Sequence, residues 1–189
     1  MAVDSNQIAN QAIALIGDNQ PAVTGQAPNF DSSTAGIALR RLYAPCIATV
    51  GRQFAWDMAR NTVALTLSGN TPPWPWSFEY LYPPNGIEVW QLHLSSIGDV
   101  NNPLPYNWNV ANAVVAGQQQ RVIWSNLADA YATYNNNPNE NTWDALFREA
   151  VVRLLASELA MAVAGKPDIA EALLQSGAAF GNIGETRED

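Results

Sequence analysis

Residues 142–165 read TWDALFREAVVRLLASELAMAVAG and carry the strongest helical periodicity in the chain. Apolar side chains recur every three or four positions, which predicts one long amphipathic helix. Asn141 or Thr142 is a suitable N-cap, and Gly165 suits the end of the helix. Since most helical stability in proteins comes from packing of the apolar face, this stretch predicts a bundle whose other helices come from elsewhere in the chain.

The N-terminal part of the chain predicts two of these helices. Residues 4–17 (DSNQIANQAIALIG) place apolar residues on one helical stripe, with capping residues at the start and Gly17 just past the end. A second helical pattern runs through residues 31–54. Pro45 lies inside that pattern, where proline removes a backbone hydrogen bond and clashes with the preceding turn, so we expect a kink or a break there.

The middle of the chain, from Trp56 to about Asn137, has a different period. Short runs rich in β-branched and aromatic residues predict antiparallel strands. These runs are NTVALTL (61–67), FEYLY (78–82), IEVWQLHL (87–94), QQRVIWSN (119–126) and ADAYATYN (128–135). They predict one small sheet of four to six strands, in which RVIWSN and ATYN form an edge hairpin.

Together these patterns predict an α+β fold, with terminal α-helices packed as a small bundle and a central antiparallel β insertion. Residues 1–56 and 138–180 are expected to form the discontinuous helical bundle, and residues 57–137 the β-rich insertion. The last predicted helix is short (IAEALLQSGAAFG), and the polar residues 181–189 are expected to form a flexible C-terminal tail.

Composition argues against several classes of function. The net charge of −8 is the wrong sign for gripping phosphate backbones. One cysteine, Cys46, and one histidine, His93, supply neither a disulfide framework nor a Cys/His metal cluster. No apolar run reaches the roughly 20 residues of a membrane span, and the N-terminus lacks the parts of a signal peptide. We therefore expect a globular protein without metal, cofactor or membrane anchor, which stays in the cell that makes it unless it leaves within a particle.

The segment TPPWPWSFEYLYPP, residues 71–84, places five aromatic residues between two proline pairs. We expect the prolines to stiffen a loop and most of the aromatic side chains to fill the joint between the helices and the sheet. An alternative is that Trp74 and Trp76 remain exposed and contact another protein.

Two alternative functions are enzymatic or ligand-binding. A carbohydrate-binding or glycan-processing module would use the tryptophans as stacking platforms and Glu79 with Glu88 as acid and base, but no motif fixes the distance between these two glutamates. A thiol enzyme built on Cys46 and His93 is rejected, because Cys46 follows a proline on an apolar helix face and reads as a packing residue. We expect no catalytic residue.

Three stretches resemble the head-to-tail adaptor proteins of tailed phages. They are ALRRLYAPCIATVGRQFAWDMARNTVALT (38–66), PPWPWSFEYLYPPNGIEVWQL (72–92) and WDALFREAVVRLLASELAMAVAGKPDIAEALL (143–174). The likeness covers about residues 5–175 and is greatest to the tail tubular protein A group of short-tailed phages.

This resemblance implies a structural virion protein. Members of the group form a ring of twelve copies beneath the portal protein, extend the DNA channel, and provide the attachment surface for the tail nozzle, a tail tubular protein B-like partner. The implied location is the connector region of the virion, and the host cytoplasm during assembly. An acidic channel wall would let double-stranded DNA pass without sequence-specific binding.

The resemblance also suggests contact residues. The C-terminal segment of the family reaches into the portal, so Phe180, Ile183 and Arg187 are candidate portal contacts. Candidates for the interface with a neighbouring subunit or the tail are Trp74, Trp76, Arg148 and Arg153. The two arginines are expected to form ion pairs between subunits, with Glu149 or Glu158 as partners.

Overall fold

A computed structural model describes residues 4–17, 21–53, 56–94, 106–137 and 139–185, with backbone only for 177–185. The chain divides into two compact units. The helical unit contains residues 1–58 and 138–189, and the β unit contains residues 59–137. The fold class is α+β, as the sequence predicted.

The helical unit is built from both ends of the chain. Its helices are α1 (Ser5–Leu15), α2 (Thr34–Gln53), α3 (Ala145–Leu159) with a π-helical extension (Ala160–Ala164), and α4 (Pro167–Glu185). A short hairpin of two-residue strands, β1 (Gly25–Gln26) and β2 (Asn29–Phe30), precedes α2. Short 3-10 turns cover Asp57–Ala59 and Glu140–Thr142. Packing of α3 against α1, α2 and α4 forms the centre of this unit.

Side-chain caps start the helices. The Asp4 carboxylate accepts the amide of Gln7 at the start of α1, as the sequence predicted. At α3 the cap is Asp144, whose carboxylate accepts the amide of Phe147 at 2.7 Å. The predicted cap at residues 141–142 is therefore wrong, because those residues form the separate 3-10 turn that precedes Asp144.

The sequence predicted a kink or a break at Pro45. α2 passes through Pro45 as one helix, so the break is wrong, and the kink stays a prediction. Pro45 and Arg41, whose carbonyl loses its helical hydrogen bond, both lie on the exposed face, where water can satisfy that carbonyl. Leu39 before the proline and Cys46 directly after it are buried, and they hold both halves of the helix in the core. Tertiary packing outweighs the cost of one proline.

α4 continues to Glu185, whereas the sequence predicted a flexible tail from residue 181. Pro167 at its first position suits a helix start, and the apolar spacing begun by Ile169 and Leu173 persists in the later sequence, which offsets the glycines. The predicted tail was thus wrong for residues 181–185. Residues 186–189 lie outside the described part of the chain.

The β unit contains two three-stranded antiparallel sheets. One sheet has the order β3-β8-β5, and the other has the order β4-β7-β6. The strands are β3 (Arg60–Ala64), β4 (Phe78–Leu81), β5 (Gly86–His93), β6 (Trp108–Val115), β7 (Gln118–Ser125) and β8 (Tyr131–Asn136). Strands of both sheets share one hydrophobic core, which consists of Tyr80, Val89, Leu92, Ile123, Leu127, Ala130 and Ala132.

Two expectations for the β region are wrong. The strands form two sheets rather than one, and β7 and β8 are each the central strand of a different sheet rather than an edge hairpin. The sequence pattern also missed β6, because its asparagines and alanines have low β propensity. Pairing with all eight residues of β7 establishes β6 as a strand.

Candidate functional site

The most exposed large apolar side chain among the described residues is Trp74, which is 93% exposed. It lies in residues 71–77 (TPPWPWS), which we call the Trp74 turn. Trp76 is only half-buried, and the Trp74–Pro75 peptide bond is cis. The expectation that the aromatic residues fill the joint between helices and sheet is therefore wrong for Trp74, and the alternative that Trp74 remains exposed is confirmed.

The Trp74 turn is held on its C-terminal side. The Trp76 amide donates to the Pro73 carbonyl at 3.0 Å, and the Ser77 amide donates to Asn126 Oδ1 at 2.8 Å. Prolines on both sides of Trp74 restrict the backbone further. A side chain presented on a restricted backbone loses little conformational entropy when a partner covers it.

The chain before the turn is held by Asn70. Its Nδ2 donates to Glu79 Oε1 at 2.8 Å and to the Val114 carbonyl at 3.0 Å. This places the segment before the Trp74 turn beside the end of β6. Two further exposed apolar side chains lie here, Leu67 and Val114, so more than one exposed apolar group surrounds Asn70.

Glu79 is the buried anchor of this region. It is 3% exposed, and its carboxylate accepts hydrogen bonds from Ser68 Oγ at 2.7 Å, Asn70 Nδ2 at 2.8 Å and Trp124 Nε1 at 2.8 Å. Burial alone raises the pKa of the carboxyl, but the bonds from Trp124, Ser68 and Asn70 outweigh burial and lower the pKa below its ordinary value of 4.5. Glu79 is thus held ionised, whereas a general acid needs a raised pKa.

Other aromatic residues of the same segment pack inside the β unit. Tyr80 is buried, and its hydroxyl donates to the Leu127 carbonyl at 2.7 Å. Phe78 and Tyr82 pack against the same core, and the Arg121 guanidinium lies 3.9 Å from the centre of the Tyr82 ring. These aromatic residues are core, as expected, but the core is that of the β unit.

A groove of about 530 Å³ lies where the chain leaves β3 and where it leaves β4. Its wall is mainly apolar and carries no charged side chain. The residues that line it include Val63, Ala64, Thr66, Tyr82, Pro83, Pro84 and Gln120. Sequence patterns did not indicate this groove, because its wall combines segments that are distant along the chain.

The chain matches no protein-family model and no curated protein sequence. The residues themselves therefore carry the functional argument. Among the described helices none is long and apolar enough to cross a membrane.

The predicted interface arginines differ in their surroundings. Arg153 Nη2 lies 2.8 Å from Glu149 Oε1 one helical turn away, and Arg153 Nη1 donates to Ser176 Oγ of α4 at 2.8 Å. Arg153 therefore joins α3 to α4 within one chain, and Glu149 pairs with it one helical turn away. The expected ion pair between subunits stays a prediction. Arg148 is half-buried on α3.

The predicted portal contacts lie at the C-terminus. The backbone at Phe180 and Ile183 belongs to α4. Their side chains, and all of Arg187, lie outside the described residues. Whether these residues contact a portal stays a prediction.

Cys46 and His93 are both buried side chains that pack against neighbouring residues. Burial, with a smaller contribution from the Glu158 carboxylate, raises the pKa of the Cys46 thiol to about 12, so the thiol is protonated near neutral pH. His93 Nε2 hydrogen-bonds Thr133 Oγ1 at 2.9 Å, and its ring stacks on Tyr131. In the part of the chain described here, no three His, Cys, Asp or Glu side chains come together as a metal site would need.

The helical unit has its own exposed apolar patch. Ile37 of α2 is exposed, and it borders a shallow groove with Leu42 and Ala162. Met161, next to Ala162 in the π-helical extension, is also exposed. Unlike Trp74, these side chains lie along helices rather than on a turn that projects from a sheet.

Proposed function

We propose that the protein is a structural component of a tailed phage particle, a head-to-tail adaptor that assembles as a ring on the portal protein. In this role it extends the DNA channel and offers an attachment surface to the tail nozzle. The observation that carries the proposal is the Trp74 turn. A tryptophan that is 93% exposed on a restricted, uncharged turn costs solubility unless a protein partner covers it.

Three further features support a role in assembly. Exposed apolar side chains occur in both units, at Ile37 and Met161 in one and at Leu67 and Trp74 in the other. The resemblance to phage adaptors includes the segment that forms the Trp74 turn. The acidic charge of the chain suits a channel wall along which DNA phosphates slide without binding.

The proposal is tested by mixing the purified protein with its cognate portal ring and measuring the mass of the complex by native mass spectrometry. We expect a mass increase equal to about twelve copies of the chain. Deletion of residues 178–189 tests the predicted portal contacts separately. A portal ring that gains no mass from the full-length chain would refute the adaptor role.

Carbohydrate binding is the second candidate, because an exposed tryptophan is also a stacking platform for sugar rings. The exposure of Trp74 favours binding, whereas the ionised, hydrogen-bonded Glu79 disfavours cleavage. A glycan panel probed with the wild-type chain and with Trp74→Ala separates the two functions. Binding that requires Trp74, together with no portal complex, would establish the sugar-binding alternative.

A further inference from the structure

We propose that the Trp74 side chain of one copy inserts into the β3–β4 groove of the next copy, so that the β units associate head to tail. This inference rests on the proposed function in one respect: in the adaptor, repeated contacts of this kind have to close into a ring. The contact itself is a property of this chain and does not involve the portal.

Position within the fold gives the first argument. The Trp74 turn adjoins Asn126 at the end of β7, whereas the groove includes Gln120 near the start of β7. Six residues of extended strand separate these positions by about 20 Å. Trp74 is 93% exposed and therefore does not occupy its own groove. The two features are available only to other molecules.

Chemical match gives the second argument. The groove holds about 530 Å³, within the range of pockets that bind small organic groups, and a tryptophan has roughly 200 Å² of surface to bury. The exposed Pro84 and the half-buried Tyr82 offer apolar surface to an indole. The Arg121 guanidinium, 3.9 Å from the centre of the Tyr82 ring, adds a cation that an indole face attracts. Gln120 lies at the same groove with an amide oxygen that can accept the indole N–H.

Charge gives the third argument. Each chain carries a net charge of −8, so two copies repel each other over most of their surfaces. The Trp74 turn and the groove lining contain no acidic residue, and the charged group next to the groove wall is the cationic Arg121, which lies over the Tyr82 ring. These are regions where two acidic copies meet without placing like charges together. A second copy of the chain can therefore occupy the groove without adding to this repulsion.

The symmetry of such a contact has a consequence. The projecting side chain and the groove are different surfaces, so the interface is heterologous and each copy uses one surface for each neighbour. A contact of this kind produces rings or open filaments rather than a closed two-fold dimer. It therefore supplies the type of interface that a ring of identical adaptors requires.

The test uses two full-length variants with complementary defects. Trp74→Ala lacks the inserting side chain and keeps the groove. Ala64→Arg fills the groove from an exposed position on the edge strand β3 and keeps Trp74. Thr66→Arg is a second groove variant in case the first perturbs folding. Leu94→Ala, which removes another exposed leucine of the β unit, is the matched control.

Sedimentation velocity at protein concentrations up to about 1 mM measures association. We expect concentration-dependent oligomers for the wild type and for Leu94→Ala, and an affinity at least about 30-fold weaker for each variant alone. An equimolar mixture of Trp74→Ala and Ala64→Arg should form a heterodimer and nothing larger, since only one productive contact remains. A photo-crosslinking aromatic residue at position 74 should attach to residues 63–66 or 81–84 of another copy.

Three results would overturn the inference: a wild type that stays monomeric and uncrosslinked at about 1 mM, unchanged association of Trp74→Ala, or a mixture that stays monomeric while the wild type associates. The portal experiment is independent of all three. Heterodimer formation without portal binding would leave the contact standing and remove the adaptor role. Portal binding by the wild type, together with a mixture of the two variants that stays monomeric, would support the adaptor role and remove the proposed contact between copies.

Discussion

The two units of the chain use their apolar residues differently. The helical unit surrounds α3 with partners, and Phe147, Val151, Leu155 and Leu159 of that helix have no exposed surface. The β unit has a smaller core, and its largest exposed side chain, Trp74, lies on a turn outside that core. We therefore expect substitutions in the helical core to lower stability. Substitutions at Trp74 are expected to weaken the proposed association and to leave stability nearly unchanged.

The largest effect on stability is expected for Leu155→Ala in the centre of the helical unit. Truncation of a fully buried leucine should lower the free energy of unfolding by about 2–5 kcal/mol, because it loses buried area and leaves a cavity. Leu174→Ala on α4, where the leucine is mostly exposed, is the matched control and should change stability by less than about 0.5 kcal/mol. Urea unfolding followed by circular dichroism measures both. Equal effects at the two positions would contradict the observed burial.

Glu79→Gln should have the next largest effect and tests whether the β unit depends on one buried carboxylate. Loss of the charged acceptor for Ser68, Asn70 and Trp124 should cost about 1–3 kcal/mol at neutral pH. Because the pKa of Glu79 is lower in the folded chain, its contribution is present above pH 4.5 and is lost as the pH falls through the folded pKa. The variant should thus lack this part of the acid-induced loss of stability. Identical pH profiles for wild type and variant would count against the assignment.

Arg153→Ala should have a smaller effect, of about 0.2–1 kcal/mol, because its pair with Glu149 is partly exposed. Association should not change, since Glu149 and Ser176 of the same chain already hold the Arg153 guanidinium. Thermal unfolding and sedimentation velocity are the two measurements. A large loss of association with little loss of stability would return Arg153 to the subunit interface.

The smallest effect on stability is expected for Trp74→Ala, because a side chain that is 93% exposed contributes little to the folded state. The free energy of unfolding should stay within about 0.5 kcal/mol of the wild type. Tyr80→Ala in the neighbouring core is the comparison and should cost several kcal/mol, on the order of other large-to-small core changes. Strong destabilisation by Trp74→Ala would mean that its role is packing.

The helices and the strands differ in how well sequence patterns anticipated them. The α1 cap at Asp4 and the spacing of α3 are local signals, and the structure contains both helices. The predicted break at Pro45 is wrong because the free-energy cost of a proline is local, whereas the burial of the residues on either side of it depends on the rest of the unit. β6 was missed because its strand character comes from pairing with β7 rather than from its own composition.

The candidate site was only partly visible in the sequence. The proline-bounded tryptophans of residues 71–77 are evident, but their sequence does not say whether they are buried. The donors that hold Glu79 are residues 68, 70 and 124, which no local pattern connects. The groove needs the ends of β3 and β4 together, so only the folded chain reveals it.

By itself, then, the sequence determined the α+β class, the N-cap of α1, the periods of the first three helices, and a restricted turn that carries two tryptophans. Those features depend on residues within one or two helical turns of each other. Tertiary structure alone decided the division into two sheets, the continuity of α2 and α4, the burial of Glu79 and the exposure of Trp74. These depend on pairings between distant segments, whose free energy is large enough to override local preference.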